Sequence, residues 1–554
     1  MTTDNFTELT SEVAQSEVSD ADRTARRPRS LWVAGVVLFA LAVVFYYLIS
    51  RRIWGGNSDV ATPILQGQAM AQGHLTLNGW NFIHDSFWTV DVLFYTVGYF
   101  FVGIDPQLMF IIPAIVAATI VAVGIRLAND RGEGQKLWVS AIAVVALLGL
   151  PTQGWTFLFI SIYGHPVTIL YALLAFLMLR TPGSTWRWLA AIVLLALGLL
   201  GDLQILPLAV GPVFGAGIVA MLRTRTLRAG LPLIGAAAAA PVLAYAVRQL
   251  AVLIGTYGIA ESNPTATSDQ MRSNLANLPE YLGWAFGAGT GLSSTVGSTT
   301  EHDGLLASLL QDGEIRVVAA AIVVLAVIVA VLRTTFQALR GSNRSEPTLR
   351  PWVVDDMLAI ACVGDVVFFA VATLDDEPAY TRYVASFVVF GSILAARHLG
   401  VLTTASFGVR LRVPLVTIGA TLVIIFGAAS VTALSNPEQP FTNQATTDFI
   451  AEKGLHRGVG MFWDANQSTV ASGGDVVIRP VVGTPAGLIP REQLARDTWY
   501  REPFEFVLCQ TDTKMAFEGV SCALAISQFG EPERRYRIGE QELLVWDQPV
   551  EIRP

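Results

Sequence analysis

Charge is the scarcest resource in this 554-residue chain: Asp, Glu, Lys and Arg make up 14% of it, against 53% hydrophobic residues. A soluble protein would carry about a quarter charged residues, so a soluble globular enzyme is excluded. The net charge of −8 points to no nucleic-acid partner, because charge in an apolar chain is sorted by membrane side. Cysteine is scarce as well. Of three, Cys362 lies in an apolar run, while Cys509 and Cys522 lie near the C-terminus. A disulfide between that pair requires an oxidising compartment, and two free thiols are the alternative. No internal repeat of fixed period is evident.

What is abundant is apolar length. Runs long enough to span a bilayer recur at about Leu31–Ser50, Pro106–Ile125, Leu137–Pro151, Pro166–Leu179, Trp188–Leu200, Ile205–Leu222, Leu231–Gly255, Val317–Leu332, Met357–Leu374, Tyr383–Ala396 and Pro414–Leu434. They predict a mainly α polytopic membrane protein with about eleven spans. Residues 1–30, polar and ending in Arg23, Arg26, Arg27 and Arg29, read as a disordered cytoplasmic tail. Alternate loops then carry Arg180 and Arg187, Arg223 to Arg228, Arg333 to Arg350, and Arg397 to Arg412. The opposite loops hold few cations, and Thr256–Glu314 has Arg272 against seven acids. This positive-inside bias fails only at Arg51 and Arg52, which can snorkel to headgroups or bind an anion. Phe87–Val102 is read as an interfacial or re-entrant helix, since counting it as a twelfth span would invert every later loop.

An odd number of spans leaves residues 435–554 outside the cell membrane. They read as a small α/β domain with helices at Ala445–Gly454 and Arg491–Tyr500 and strands at Val459–Trp463, Asp475–Val482, Phe504–Cys509 and Glu542–Trp546. Trp463, Trp499 and Tyr500 suit stacking on carbohydrate or filling that domain's core.

Ionisable groups resist burial beside lipid unless something pairs or uses them. External loop 51–105 nevertheless carries Asp59, His84, Asp85 and Asp91. Asp59 follows Gly55, Gly56 and Asn57, which permit a tight turn, and it stands where Ser58 or Asp59 could cap a helix ending near Gly73. His84 and Asp85 lie among aromatics in "GWNFIHDSFWTVD", where they can bind a sugar, hold a phosphate or anchor the loop. No His or Cys stands at metal spacing from His84, so no metal site is predicted there. His165, Asp202, Arg248 and Arg382 lie at or towards the same external ends of their spans, whereas Asp365 falls near mid-membrane.

The layout resembles the GT-C superfamily of membrane glycosyltransferases, whose shared mark is an acidic residue just after the first span. Asp59 matches that position, and "LNGWNFIHDSFWTVDVLFYTVGYFFVG" and "SIYGHPVT" look like motifs of a bacterial branch of such proteins. The resemblance covers roughly Leu31–Leu434, the membrane domain 31–434. It implies transfer of a sugar from a polyprenyl-phosphate donor to a cell-envelope glycan, lipid or protein acceptor on the extracytoplasmic face. Asp59 would be the general base, with Asp85 orienting the site. His84, Asp91, His165, Asp202, Arg248 and Arg382 would bind substrate, with the two arginines on the phosphate. The paired acids usual beside that first position are absent, Asn57 and Ser58 standing there, so no cofactor is predicted and a divalent cation stays compatible. A transporter, or a flippase or polymerase for lipid-linked glycans, is the alternative. A transporter would place its ionisable groups near the midplane.

Overall fold

The computed structural model describes residues 32–83, 85–129, 137–150, 158–160, 165–180, 184–259, 265–288, 313–340, 350–374, 382–402, 408–511 and 517–553. The predicted tail and His84 lie outside them.

All eleven predicted spans are helices, and the chain is mostly helical with a C-terminal β-sheet region. In order they are α1 (Trp32–Ile53), α4 (Leu108–Ala128), α5 (Leu137–Val144, prolonged by a π turn at Val145–Gly149), α6 (Pro166–Leu179), α7 (Thr185–Gly201), α8 (Gly211–Thr224, entered through a π turn at Leu206–Val210), α9 (Leu227–Leu253), α11 (Gly313–Arg340), α12 (Arg350–Val371), α13 (Ala385–Leu402) and α14 (Gly408–Ser435). Seven of these are long and apolar enough to cross a membrane. The others are α5, α6 and α7, which are shorter, and α12, which carries Asp355, Asp356 and Asp365. Between α1 and α4 lie α2 (Ser58–Ala71) and α3 (Asp91–Val102). At 12 residues, or about 18 Å, α3 falls short of a hydrocarbon core about 30 Å thick.

Small residues set the closest helix approaches, as packing between membrane helices requires. Gly217 of α8 faces Gly230 of α9 so closely that a Cβ on Gly230 would lie 2.0 Å from the Gly217 carbonyl. Gly67 does the same for α2 on α3, where a Cβ would stand 2.8 Å from the Thr96 amide. Val36, Leu38, Leu41 and Val44 of α1 are exposed, as an apolar helix face turned to lipid would be.

The C-terminal region contains α15 (Gln444–Glu452), α16 (Phe462–Ala471) and α17 (Cys522–Phe529) around a six-stranded mixed sheet. Its strands are β3 (Arg457–Gly460), β4 (Val477–Thr484), β5 (Gly487–Pro490), β7 (Phe504–Gln510), β8 (Arg534–Ile538) and β9 (Gln541–Val550), in the order β5-β4-β3-β7-β9-β8. β3 runs parallel to β4 and β7, and the other pairings are antiparallel. Cys509 and Cys522 are joined by a disulfide that ties the end of β7 to the start of α17. Two sequence expectations fail here. The predicted strand Val459–Trp463 stops at Gly460, and Phe462 opens α16 because that helix packs on α2. The predicted helix Arg491–Tyr500 is instead a two-residue strand, β6 (Ala495–Arg496), followed by a 3₁₀ turn at Asp497–Tyr500.

The region is sewn to the membrane domain at three places. Ser58 donates to the Phe462 carbonyl at 2.5 Å and accepts from the Gln467 amide, and Asn466 donates to Thr62 at 2.8 Å. The linker after α14 runs beside the end of α1, with the Gln439 and Thr442 amides donating to the Arg51 and Gly55 carbonyls. Finally, β1 (Trp80–Phe82) is the centre of a small sheet, β2-β1-β6, pairing in parallel with β2 (Gly258–Ile259) and antiparallel with β6. Loop 80–91, the segment after α9 and the C-terminal region therefore share one face of the molecule.

Candidate active site

That face is organised around the C-terminal end of α7. A helix leaves its last carbonyls without intrahelical donors, and here other segments supply them. The Ser86 hydroxyl and the Tyr257 hydroxyl donate to Leu200, each at 3.2 Å, and the Phe87 amide donates to Gly201 at 2.8 Å. In return, the Leu203 amide donates to the Asp85 carboxylate at 3.1 Å. These bonds lay loop 80–91 across the end of the bundle and fix Asp85 beside Asp202.

Asp202 caps α7 and is 1% exposed. One oxygen accepts from the Gln204 amide at 2.9 Å; the other accepts from the Thr168 hydroxyl and meets His165 Nδ1 at 2.7 Å. His165 stands immediately before Pro166, the first residue of α6, in the left-handed region at φ +50°. Its ring lies 5.3 Å from that of Phe87, and its Nε2 is 3.3 Å from the Gln204 side-chain Nε2. The pair is therefore a buried brace between α6 and α7, with both Asp202 oxygens engaged.

Arg248 approaches from the end of α9. It donates to the Thr256 hydroxyl at 2.9 Å and the Tyr257 carbonyl at 3.4 Å, and it stacks over the Tyr257 ring at 4.3 Å. Among the described residues no carboxylate forms an ion pair with it. Asp85, Asp202, Arg248 and Tyr257 line one cavity of about 320 Å³ together with Ser86 and Tyr245. Tyr245, Leu203 and Ile259, also on its wall, are half or more exposed, so the cavity opens beside an apolar surface.

The other predicted residues stand around it. Arg382 lies in a 3₁₀ turn ahead of α13, over the Tyr383 ring, and close enough to His165 for the two to interact electrostatically, as Asp85 also does. Asp91 opens α3 at 3% exposure, and its Oδ2 meets no described hydrogen-bond partner. Burial lifts its carboxyl to about 7, against the pull of His165 and with a smaller push from Asp202. Asp59 is half-buried in the first turn of α2 and is not among the described residues lining the cavity. The cap of that helix is neither Ser58 nor Asp59 but Asn57, whose side-chain oxygen accepts from the Val60 amide at 3.1 Å. Arg51 sits between the Phe110 and Phe441 rings and donates to the Gln439 carbonyl, so it anchors the C-terminal linker. Among the described residues no three His, Cys, Asp or Glu side chains come together as a metal site. Sequence reasoning missed Tyr257, Ser86 and Thr168; nothing in their local sequence signals that they bond groups tens of residues away.

Long apolar helices, two shorter helices after the first one and a mixed-sheet C-terminal region together make a GT-C-like fold. The chain is similar to the apo structure of ArnT from Cupriavidus metallidurans, with a TM-score of 0.52 and 13% identity over 93% of this chain and 98% of that one. A second similar structure is the oligosaccharyltransferase of Archaeoglobus fulgidus in complex with zinc and sulfate, with a TM-score of 0.43 and 12% identity over 92% of this chain and 73% of that one. No family model and no curated protein matches the sequence.

Proposed function

We propose that the protein is a membrane glycosyltransferase moving a sugar from a polyprenyl-phosphate donor to a cell-envelope acceptor on the extracytoplasmic face. The observation that carries the proposal is the cavity in which Asp85 and the carboxylate-free Arg248 meet at the bundle end, beside exposed apolar surface, in a GT-C-like fold. Such a surface suits a polyprenyl chain, and an arginine without a carboxylate partner suits its phosphate. The acceptor hydroxyl attacks the anomeric carbon as the bond from that carbon to the phosphate oxygen breaks. The bonding pair leaves with the phosphate, whose charge Arg248 and Arg382 balance. The acceptor proton passes to a carboxylate: Asp59, the base implied by its place after the first span, lies outside the cavity in α2, and Asp85, which otherwise holds the donor or the loop, is on the cavity wall. The disulfide and the shared face of loop 80–91 and the C-terminal region support an extracytoplasmic position for both and a cytoplasmic N-terminus.

Asp59→Asn keeps side-chain size, and the cap at Asn57 is untouched, so the variant should insert normally and lose transfer. The measurement is cell-envelope glycan and glycolipid composition at matched protein level. Asp85→Asn, tested alongside, should be nearly as damaging. Loss with Asp85→Asn alone would move the base role to Asp85, and normal product with both variants would overturn the transferase reading.

A further inference from the structure

The C-terminal region contains a second concentration of positive charge, separate from the cavity at the bundle end. Arg457 on β3 and Arg479 on β4 lie on one face of the sheet, because the parallel register pairs Arg457 with Val477 and Val459 with Arg479. Arg496 arrives from β6, paired with Trp80 of β1. Trp499 stands between them, its ring under the Arg479 guanidinium at 4.0 Å and edge-on to Trp80 at 4.9 Å.

Their hydrogen-bonding is incomplete. Arg457 pairs with Glu502 at 3.0 Å and donates to the Trp499 carbonyl, but its Nε is buried without a described partner. Nε of Arg496 is in the same position. Arg479 makes no hydrogen bond or ion pair among the described residues, and its Nε and Nη1 are both buried. The acids nearby are engaged elsewhere: Asp497 accepts from Asn81, and Glu505 accepts from the His456 and Arg457 amides. Burial, with Arg457 and Arg496 as like charges, brings the Arg479 guanidinium down to about 9. Guanidinium nitrogens buried without an acceptor are costly, and Arg479 has two of them with no described carboxylate paired to it. An incoming oxyanion supplies what is missing: acceptors for the orphaned donors and a countercharge.

We propose that Arg479, Arg457 and Arg496 form a binding site for an oxyanion, phosphate or carboxylate, on the C-terminal region beside β1. The inference stands apart from the transferase reading, since the site shares no residue with the cavity at the bundle end. Loop 80–91 leaves β1 directly for that cavity, so the same strand borders both. An acidic substituent on a glycan and the headgroup of an anionic lipid present the same chemistry here.

The test uses the full chain in phosphatidylcholine nanodiscs, with thermal unfolding followed in inorganic phosphate, in glucuronate, and in chloride at matched ionic strength. Phosphate or glucuronate should raise the midpoint above the chloride value. Arg479→Gln should abolish that rise while leaving the ligand-free midpoint close to or above wild type, because it removes two buried guanidinium nitrogens that lack a described acceptor. Arg496→Gln, on another strand, should weaken phosphate binding about tenfold, and it serves if Arg479→Gln does not fold. A rise found only in phosphatidylglycerol nanodiscs and lost in either variant would support the site and assign its anion to a lipid headgroup. Equal midpoints in all three salts and both lipids, or a rise that survives both substitutions, would overturn the proposal.

Discussion

The two ends of the helix bundle treat charge in opposite ways. At the end remote from the cavity, Arg397 of α13 pairs with Asp355 of α12 at 2.6 Å with both side chains at most 1% exposed, and it also donates to the Leu127 carbonyl of α4. Beside it Arg223 of α8 pairs with Asp356 at 3.0 Å and lies over Trp352. Both of these guanidinium groups meet a carboxylate. At the cavity end Arg248 is held by a hydroxyl, a carbonyl and an aromatic face, none of which neutralises it. Charge that serves architecture is matched within the protein; on the function proposed above, charge that serves a ligand is positioned by neutral groups and left to be matched from outside.

The largest expected effect breaks the matched end. Arg397→Ala strands Asp355 in the interior and should cost about 3–5 kcal/mol, read as loss of folded protein in membranes or as a lowered unfolding midpoint. The double variant Arg397→Met with Asp355→Leu should recover most of that loss. Next comes the unmatched end, where Arg248→Ala should leave the unfolding midpoint nearly unchanged and reduce transfer by about a hundredfold, with Arg248→Lys retaining part of the activity. A large stability loss in Arg248→Ala would erase the distinction between the two ends. The smallest effect concerns Asp91. Its carboxyl titrates near 7 in the folded protein and about 4 in an unfolded chain. The folded state therefore holds a proton that the unfolded state has released, and stability falls as pH rises through that window. Asp91→Asn should flatten that part of the pH–stability profile.

Hydropathy alone found a helix at each of the eleven predicted runs, because a long apolar run is signalled locally; the ends were less legible, off by up to eight residues where Val317–Leu332 became Gly313–Arg340. The His165–Asp202 brace was legible only as two costly residues near one face. Their contact joins positions 37 apart, which no periodic pattern encodes. Where local preference and tertiary contact disagreed, contact prevailed: the aromatic start of "FWDANQSTVA" suggests strand, yet Ser58 and Thr62 of α2 hold it as a helix. The small sheet was invisible beforehand, since strands of two and three residues carry no period.

That sheet also links the mechanics of distant segments. β1 is its middle strand, so its backbone is held on both flanks, by the segment after α9 on one side and by the C-terminal region on the other. Any tilt of the outer region is transmitted through hydrogen bonds to Asn81, four residues from Asp85. A chain truncated after α14 would leave one edge of β1 bare and its stem of loop 80–91 slack. The outer region thus acts as a splint for loop 80–91, whatever it binds on its own account.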